Sequence, residues 1–119
     1  MMLKAAVPQI HVSTSAAARS FYADKLGFTQ RNAWRPDETK DDPCYMAFER
    51  DGVWLQITSY EGTPGTCVYV YVDDVNTLHA ELVAKGVQHL DPVQDQAWGM
   101  REFAVTDPDN NTLRFGQEI

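Results

Sequence analysis

Tryptophan, tyrosine, amide, imidazole and guanidinium groups recur at every second position in four short stretches of this chain: Gln9, His11 and Ser13; Trp54, Gln56 and Thr58; Cys67, Tyr69 and Tyr71; Thr112 and Arg114. Side chains two apart share a face of a strand. The residues between them, Ile10 and Val12, then Val53, Leu55 and Ile57, then Val68, Val70 and Val72, then Leu113 and Phe115, are all apolar. That second set is expected to lie under helices, each well-buried member contributing roughly 1.5–3 kcal/mol. A sheet face that only meets water carries Lys, Glu and Thr. Apolar walls with a few convergent polar groups are the composition of a small-molecule pocket. The chemistry on offer is stacking on Trp54, Tyr69 and Tyr71, with hydrogen bonds from His11 and Gln56. The other reading is that these aromatics pack against a dimer partner, and one surface can serve both.

Two of the polar groups carry alternatives of their own. His11 reads either as a hydrogen-bonding wall residue or as a general base. A base needs an orienting carboxylate, and Glu49 and Glu102 are the candidates by strand position. Arg114 reads either as the partner of Glu49 or Glu102 in an ion pair, or as a contact for a ligand carboxylate or phosphate. His79 and His89 are expected at the surface. The acidic run Asp37, Glu38, Asp41 and Asp42 reads as a solvated loop that could steer a cation.

The elements that must hold these groups follow from local pattern. Gln9–Val12 predicts a strand, and Ser13, Thr14 and Ser15 offer helix caps. Ala16–Lys25 predicts a helix whose Ala17, Ala18, Phe21 and Tyr22 form an apolar face, stopped by Gly27. Strands are expected over Phe28–Trp34, Cys44–Glu49 and Val53–Ser59, with Asp51-Gly52 as a hairpin turn. Tyr60–Thr66 reads as a linker. The order then repeats. Cys67–Val72 predicts a strand, Asp73 or Asp74 a cap, Val75–Lys85 a helix and Gly86 its stop. Val87–Leu90 predicts a short strand, Asp91–Trp98 a loop, and Arg101–Thr106 and Asn111–Phe115 two strands around the turn Asp107-Pro108-Asp109-Asn110. Asp51–Ile57 matches Asp109–Phe115, and Gly27 matches Gly86, as in an internal repeat. The fold class is therefore α+β, one domain over 1–119, built of two βαβββ modules at about 5–60 and 66–119 that curl mixed sheets around a cleft. A half of about 55 residues is marginal alone, so the two are expected to share a core or to be completed by a partner chain.

Composition bounds the rest. With 119 residues, 44% apolar and 23% charged, the chain is an ordinary globular domain. The net charge of −7, from 10 basic and 17 acidic residues, repels nucleic acid and anionic lipid and suits a cationic guest. No apolar run approaches the length of a membrane helix. Met1–Ala6 is too short for a signal peptide, and Cys44 and Cys67 lack framework spacing. A cytoplasmic protein with reduced thiols is expected.

With these residues in place, the chain resembles the glyoxalase/bleomycin-resistance/dioxygenase superfamily, also called vicinal oxygen chelate. His11-Val12, then Arg19-Ser20-Phe21-Tyr22 and Leu26-Gly27-Phe28, look like its first strand and helix. Tyr71-Val72-Asp73-Asp74-Val75 looks like the opening of its second module. Asp107-Pro108-Asp109-Asn110 before Leu113-Arg114-Phe115 looks like its closing turn and strand. Trp98-Gly99-Met100-Arg101-Glu102-Phe103 is similar to a segment of the bleomycin-resistance branch, with Met100 inserted. The resemblance implies a homodimer that sequesters a cationic glycopeptide antibiotic in an aromatic cleft, without chemistry. Trp54, Tyr69, Tyr71 and Trp98 would stack on a planar, cationic guest, with Trp34 as a lid and His11, Gln56 and Arg114 as polar contacts.

Metal-dependent members of that superfamily place ligands at positions matching His11, Gln56, Cys67 and Arg114. Only His11 is a usual donor for a divalent ion, Gln56 is weak, and Cys67 suits zinc. Arg114 cannot ligate. At about 4 Å and an effective dielectric near 20 it costs about 4 kcal/mol per unit of metal charge. No metal and no other cofactor is expected. The rival readings are a metal-dependent isomerase or dioxygenase, and a metal-free enzyme of the same fold using His11.

Overall fold

The computed structural model describes residues 1–119. The chain divides into two compact units, Met1–Thr63 and Pro64–Ile119. Each is a strand, a helix and three further strands, and each holds one mixed four-stranded sheet.

The first unit runs β1 (Gln9–His11), α1 (Ser15–Ala18) with a wider, π-helical continuation over Arg19–Lys25, β2 (Thr29–Trp34), β3 (Tyr45–Arg50) and β4 (Val53–Thr58). The sheet order is β1-β4-β3-β2, with β1 parallel to β4 and the other pairs antiparallel. Among the three cap candidates, Thr14 is the one used. Its hydroxyl accepts from the Ala17 amide at 3.2 Å, which satisfies one of the open amides of the helix start. Gly27 closes the helix at φ 77°, where a side chain would be strained. Asp51 and Gly52 both take positive φ, 52° and 83°, the signature of a tight hairpin turn between β3 and β4. The apolar parity is buried as the alternation requires. Ile10, Leu55 and Ile57 are fully enclosed, with Tyr22 and Phe48 whose rings stand 6.3 Å apart.

The second unit runs β5 (Cys67–Tyr71), α2 (Val75–Ala84), β6 (Gln94–Asp95), β7 (Met100–Thr106) and β8 (Thr112–Glu118), ordered β5-β8-β7-β6. Asp74 caps α2, accepting from the Thr77 amide at 3.1 Å. The helix packs through Val75 and Leu82 on β7 and β8, above Leu113, Phe115, Val105 and Phe103.

Two sequence expectations need correction here. The edge strand does not form at Val87–Leu90. His89 sits at φ 53°, which breaks an extended run, and only Leu90 bridges to Val105. The edge is made instead by Gln94–Asp95, inside the segment read as a loop, and the Asp95 carboxylate holds Arg101 of β7 at 2.7 Å. His79, expected at the surface, is half-buried with its ring anchored. Its ring meets Phe103 edge-on at 4.9 Å, and its Nε2 lies 2.9 Å from the Asp91 carbonyl. A carbonyl only accepts, so that nitrogen carries the proton.

The turn before β8 is fastened by two buried side chains. Asp107 accepts from the amides of Asp109 (2.8 Å) and Asn111 (2.9 Å), and from the Asn111 side-chain amide (3.0 Å). The Asn111 carbonyl oxygen in turn accepts from Gly65 and Thr66, each at 3.0 Å, and so ties the entry of β5 to the entry of β8. Removing one partner of a buried hydrogen bond leaves the other desolvated and unpaired. Asn111→Ala is expected to lower stability by about 2–3 kcal/mol. Asn111→Asp should cost more, because it faces a second carboxylate onto Asp107. Urea unfolding followed by tryptophan fluorescence checks both.

Candidate functional site

The outward face of the first sheet is organised in rows by strand register. His11 pairs with Thr58, Thr58 with Tyr45, and Tyr45 with Trp34, so these four cross β1, β4, β3 and β2 at one level. Gln9, Gln56, Ala47 and Asn32 form the next row, and Trp54, Glu49 and Thr29 the one beyond. The chain leaving β4 brings Tyr60 back over the first row. Tyr60 lies 4.3 Å from Tyr45, and nearly parallel to Trp34 (11° between planes) at 6.5 Å. Beside these rings opens a cavity of about 550 Å³ lined by Asp42, Pro43, Tyr45, Ser59, Tyr60 and Glu61. Gly62 closes over His11, where an added Cβ would stand 3.2 Å from Nδ1.

Asp42 is built into the cavity wall. Its carboxylate accepts from the Ser15 amide at 2.9 Å and from the Ser59 hydroxyl at 2.5 Å. Burial pushes its pKa up, but these hydrogen bonds and the Arg19 charge outweigh that and hold it below the usual carboxylate value. One member of the acidic run is therefore a fixed, ionised group and not merely a solvated one. Burial, with Tyr45 and Cys44 nearby, pushes the Tyr60 phenol up.

The second sheet carries Tyr69, Tyr71 and Arg114 on its corresponding face. Register sets Tyr69 against Arg114, and Tyr71 against Gly116, which pairs in turn with Glu102 of β7. A Cβ at Gly116 would fall on the Tyr69 hydroxyl, so the absent side chain is what lets the tyrosine lie across β8. The hydroxyl then donates to Glu102 at 2.7 Å, while Arg114 reaches the other carboxylate oxygen at 3.5 Å. Glu102 is only 2% exposed. Burial first, then the Glu102 hydrogen bond and charge and the neighbouring Tyr71, push the Tyr69 pKa up to about 12, against a smaller pull from Arg114. Tyr71 packs 5.2 Å from Tyr69 and is largely exposed.

The ion-pair alternative for Arg114 is realised with Glu102. The other candidate, Glu49, is occupied by Arg31 at 2.6 Å and by the Gly52 amide at 2.8 Å. The two carboxylates considered as orienters of His11 are thus engaged elsewhere. Trp54 lies two rows from Trp34, and Trp98 stands on the turn between β6 and β7. Both are exposed. Tyr45 and Tyr60 were missed by sequence reasoning. Extending the two-residue alternation to β3 would have marked Tyr45, which alternates with the buried Met46 and Phe48. Tyr60, in an apparent linker, carried no signal.

A divalent metal site of the kind the resemblance offers does not fit these residues. Nowhere do three His, Cys, Asp or Glu side chains stand close enough to share an ion. The matching position on β8 holds a permanent guanidinium, and the nearest carboxylate, Glu102, already receives Tyr69 and Arg114.

The family model described as glyoxalase superfamily protein matches residues 1–119. A relative named bleomycin resistance protein, from Geobacillus stearothermophilus, is 27% identical over 130 residues, covering 95% of this chain and 96% of that protein. A solved bleomycin-binding protein from bleomycin-producing Streptomyces verticillus, complexed with copper(II)-bleomycin, superposes with a TM-score of 0.73 at 27% identity, over 97% of this chain and 96% of that one. A glyoxalase-related enzyme from Clostridium phytofermentans superposes with a TM-score of 0.81, over 100% of this chain and 98% of that one. At 19% identity this last likeness speaks for the fold alone.

The Tyr69–Glu102 contact has a measurable signature. A phenol whose folded pKa is raised adds stability that is complete below its unfolded value of 10.0 and is lost as pH climbs toward about 12. Ultraviolet titration should show one tyrosine ionising well above the others. Glu102→Gln removes the charge and should bring that transition part of the way down, leaving the contributions of burial and of Tyr71. An unchanged transition would mean that the carboxylate plays no part.

Proposed function

Since this chain belongs to the glyoxalase superfamily along its whole length, we propose that it binds and holds a bleomycin-type antibiotic, or a similar planar cationic compound, without transforming it. One observation carries the reading. Tyr45 and Tyr60 line a cavity of about 550 Å³, Trp34 stands against both of these rings, and no Lys or Arg lines the cavity. Rings that keep exposed surface, as Trp34 and Tyr45 do, gain from stacking on a planar guest and from attraction to its charge. The names of the bleomycin-resistance and bleomycin-binding relatives support the same class of ligand. The donor chemistry supports holding over reacting, because Gln56 is only a weak ligand and Arg114 stands where metal-dependent members of the fold need an anionic one.

In this reading Trp34 covers the guest, His11 and Gln56 offer hydrogen bonds, and Trp54, Tyr69, Tyr71, Trp98 and Arg114 supply further binding surface. The protein is a cytoplasmic homodimer, in keeping with its two free cysteines and the exposed Trp54, Tyr71 and Trp98. No helix is long and apolar enough to cross a membrane.

Titration with bleomycin, followed by tryptophan fluorescence, should give saturable quenching. Trp34→Ala should weaken binding about 3- to 10-fold, the worth of one stacked ring. No quenching up to millimolar bleomycin would remove that ligand class. Light scattering should give twice the 13.4 kDa of one chain.

A further inference from the structure

We infer that the cavity beside Trp34, Tyr45 and Tyr60 is a seat for an alkylated ammonium group, so that it fixes where a guest's positive charge goes. The inference rests on the small-molecule reading above and adds the place and the chemistry of that charge.

Three features of the first unit meet here. The ring centroids stand 4.3, 6.4 and 6.5 Å apart, so the three rings form one cluster, of which Tyr45 and Tyr60 line the cavity and can meet a cation placed there. The cavity wall also holds two carboxyl groups, Asp42 and Glu61. Asp42 is fixed by Ser15 and Ser59 and shares its charge with Arg19. Glu61 is exposed and enters no ion pair or hydrogen bond, so its charge is uncompensated at the rim. Arg35, on the same loop as Asp42, is turned to the Asp41 carbonyl at 3.0 Å.

The lining also decides between kinds of ligand. An anion would meet two carboxylates and no positive side chain. A neutral apolar group would gain from the rings but nothing from Asp42 or Glu61. A strongly hydrated primary ammonium would lose water to π faces that return little of it. An alkylated ammonium spreads its charge over methyl groups, gives up little hydration, and profits from rings and carboxylates together.

Choline and its uncharged isostere 3,3-dimethylbutan-1-ol are the probes, read by aromatic NMR shifts and by Trp34 fluorescence. Choline should shift the signals of Trp34, Tyr45 and Tyr60 and saturate in the millimolar range, with the neutral alcohol about tenfold weaker or more. Glu61→Gln, a surface change that leaves the fold alone, should weaken choline about threefold. Tyr60→Leu, checked for folding by circular dichroism, should abolish the site. Equal binding of both probes, shifts confined to other residues, or indifference to Glu61→Gln would overturn the inference. Bleomycin titrated in the same samples separates the two readings. If bleomycin binds and choline neither binds nor competes, the cation seat is wrong and the binding function stands. If choline binds and bleomycin does not, the seat stands and that guest class falls.

Discussion

Leu55 and Ile57 on one strand, and Leu113 and Phe115 on its counterpart, are forced inward because they are the residues that gain most from leaving water. Once they are inside, the period of two leaves no choice for their neighbours. Trp54 and Gln56 must face out of the first sheet, and Thr112 and Arg114 out of the second. Slipping either strand by one residue would bury an arginine or a glutamine and expose a leucine. The site is therefore held by the same burial that holds the fold, and it needs no separate scaffold.

Within that frame, Gly116 does in the second sheet what no side chain could. It leaves room on β8 for the Tyr69 ring, and that ring brings a hydroxyl to a carboxylate otherwise shut away from water. A buried Glu102 without partners would be expensive. With Tyr69 on one oxygen and Arg114 near the other, the carboxylate is satisfied and both partners are held in one orientation. Arg114 keeps much of its guanidinium exposed, with 41% of its side chain accessible. It can therefore serve as an anchored donor on the sheet surface as well as a counter-charge.

The alternation of apolar and polar residues made the fold readable, and the outer face with it. Asp51-Gly52, Gly27 and Gly86 marked the breaks correctly because each needs a positive φ that few residues adopt easily. The misplaced edge strand shows the limit of that reading. Val87–Leu90 is a plausible strand by composition, but a two-residue edge at Gln94–Asp95 is fixed by the Arg101–Asp95 contact across the sheet, which local pattern does not contain. The anchoring of His79 escaped that reading for the same reason, since its partners Phe103 and Asp91 are distant in sequence. Tyr60 is the instructive omission. It belongs to no strand, and its place over Tyr45 follows from how the chain leaves β4, with the Tyr60 amide donating to the Thr58 hydroxyl at 3.1 Å.

The net charge of −7 gains meaning only from where some of it is fixed. Spread over a solvated surface, such a charge is screened within about 8–10 Å at ordinary salt and discriminates poorly among cations. Asp42 is different. It is tied to the start of α1 by the Ser15 amide and to the end of β4 through Ser59, and it opens on a cavity walled by aromatic rings. A charge held beside low-dielectric walls acts on a guest far more strongly than the same charge on a mobile loop. In the second sheet, Glu102 and Arg114 sit diagonally on neighbouring strands, 3.5 Å apart, and largely answer one another. On the proposed reading, a cation is placed at the first sheet and not at the second. The asymmetry arises although both halves derive from one repeated pattern, because it lies in Asp42, Glu61 and Arg114, which the repeat leaves free to differ.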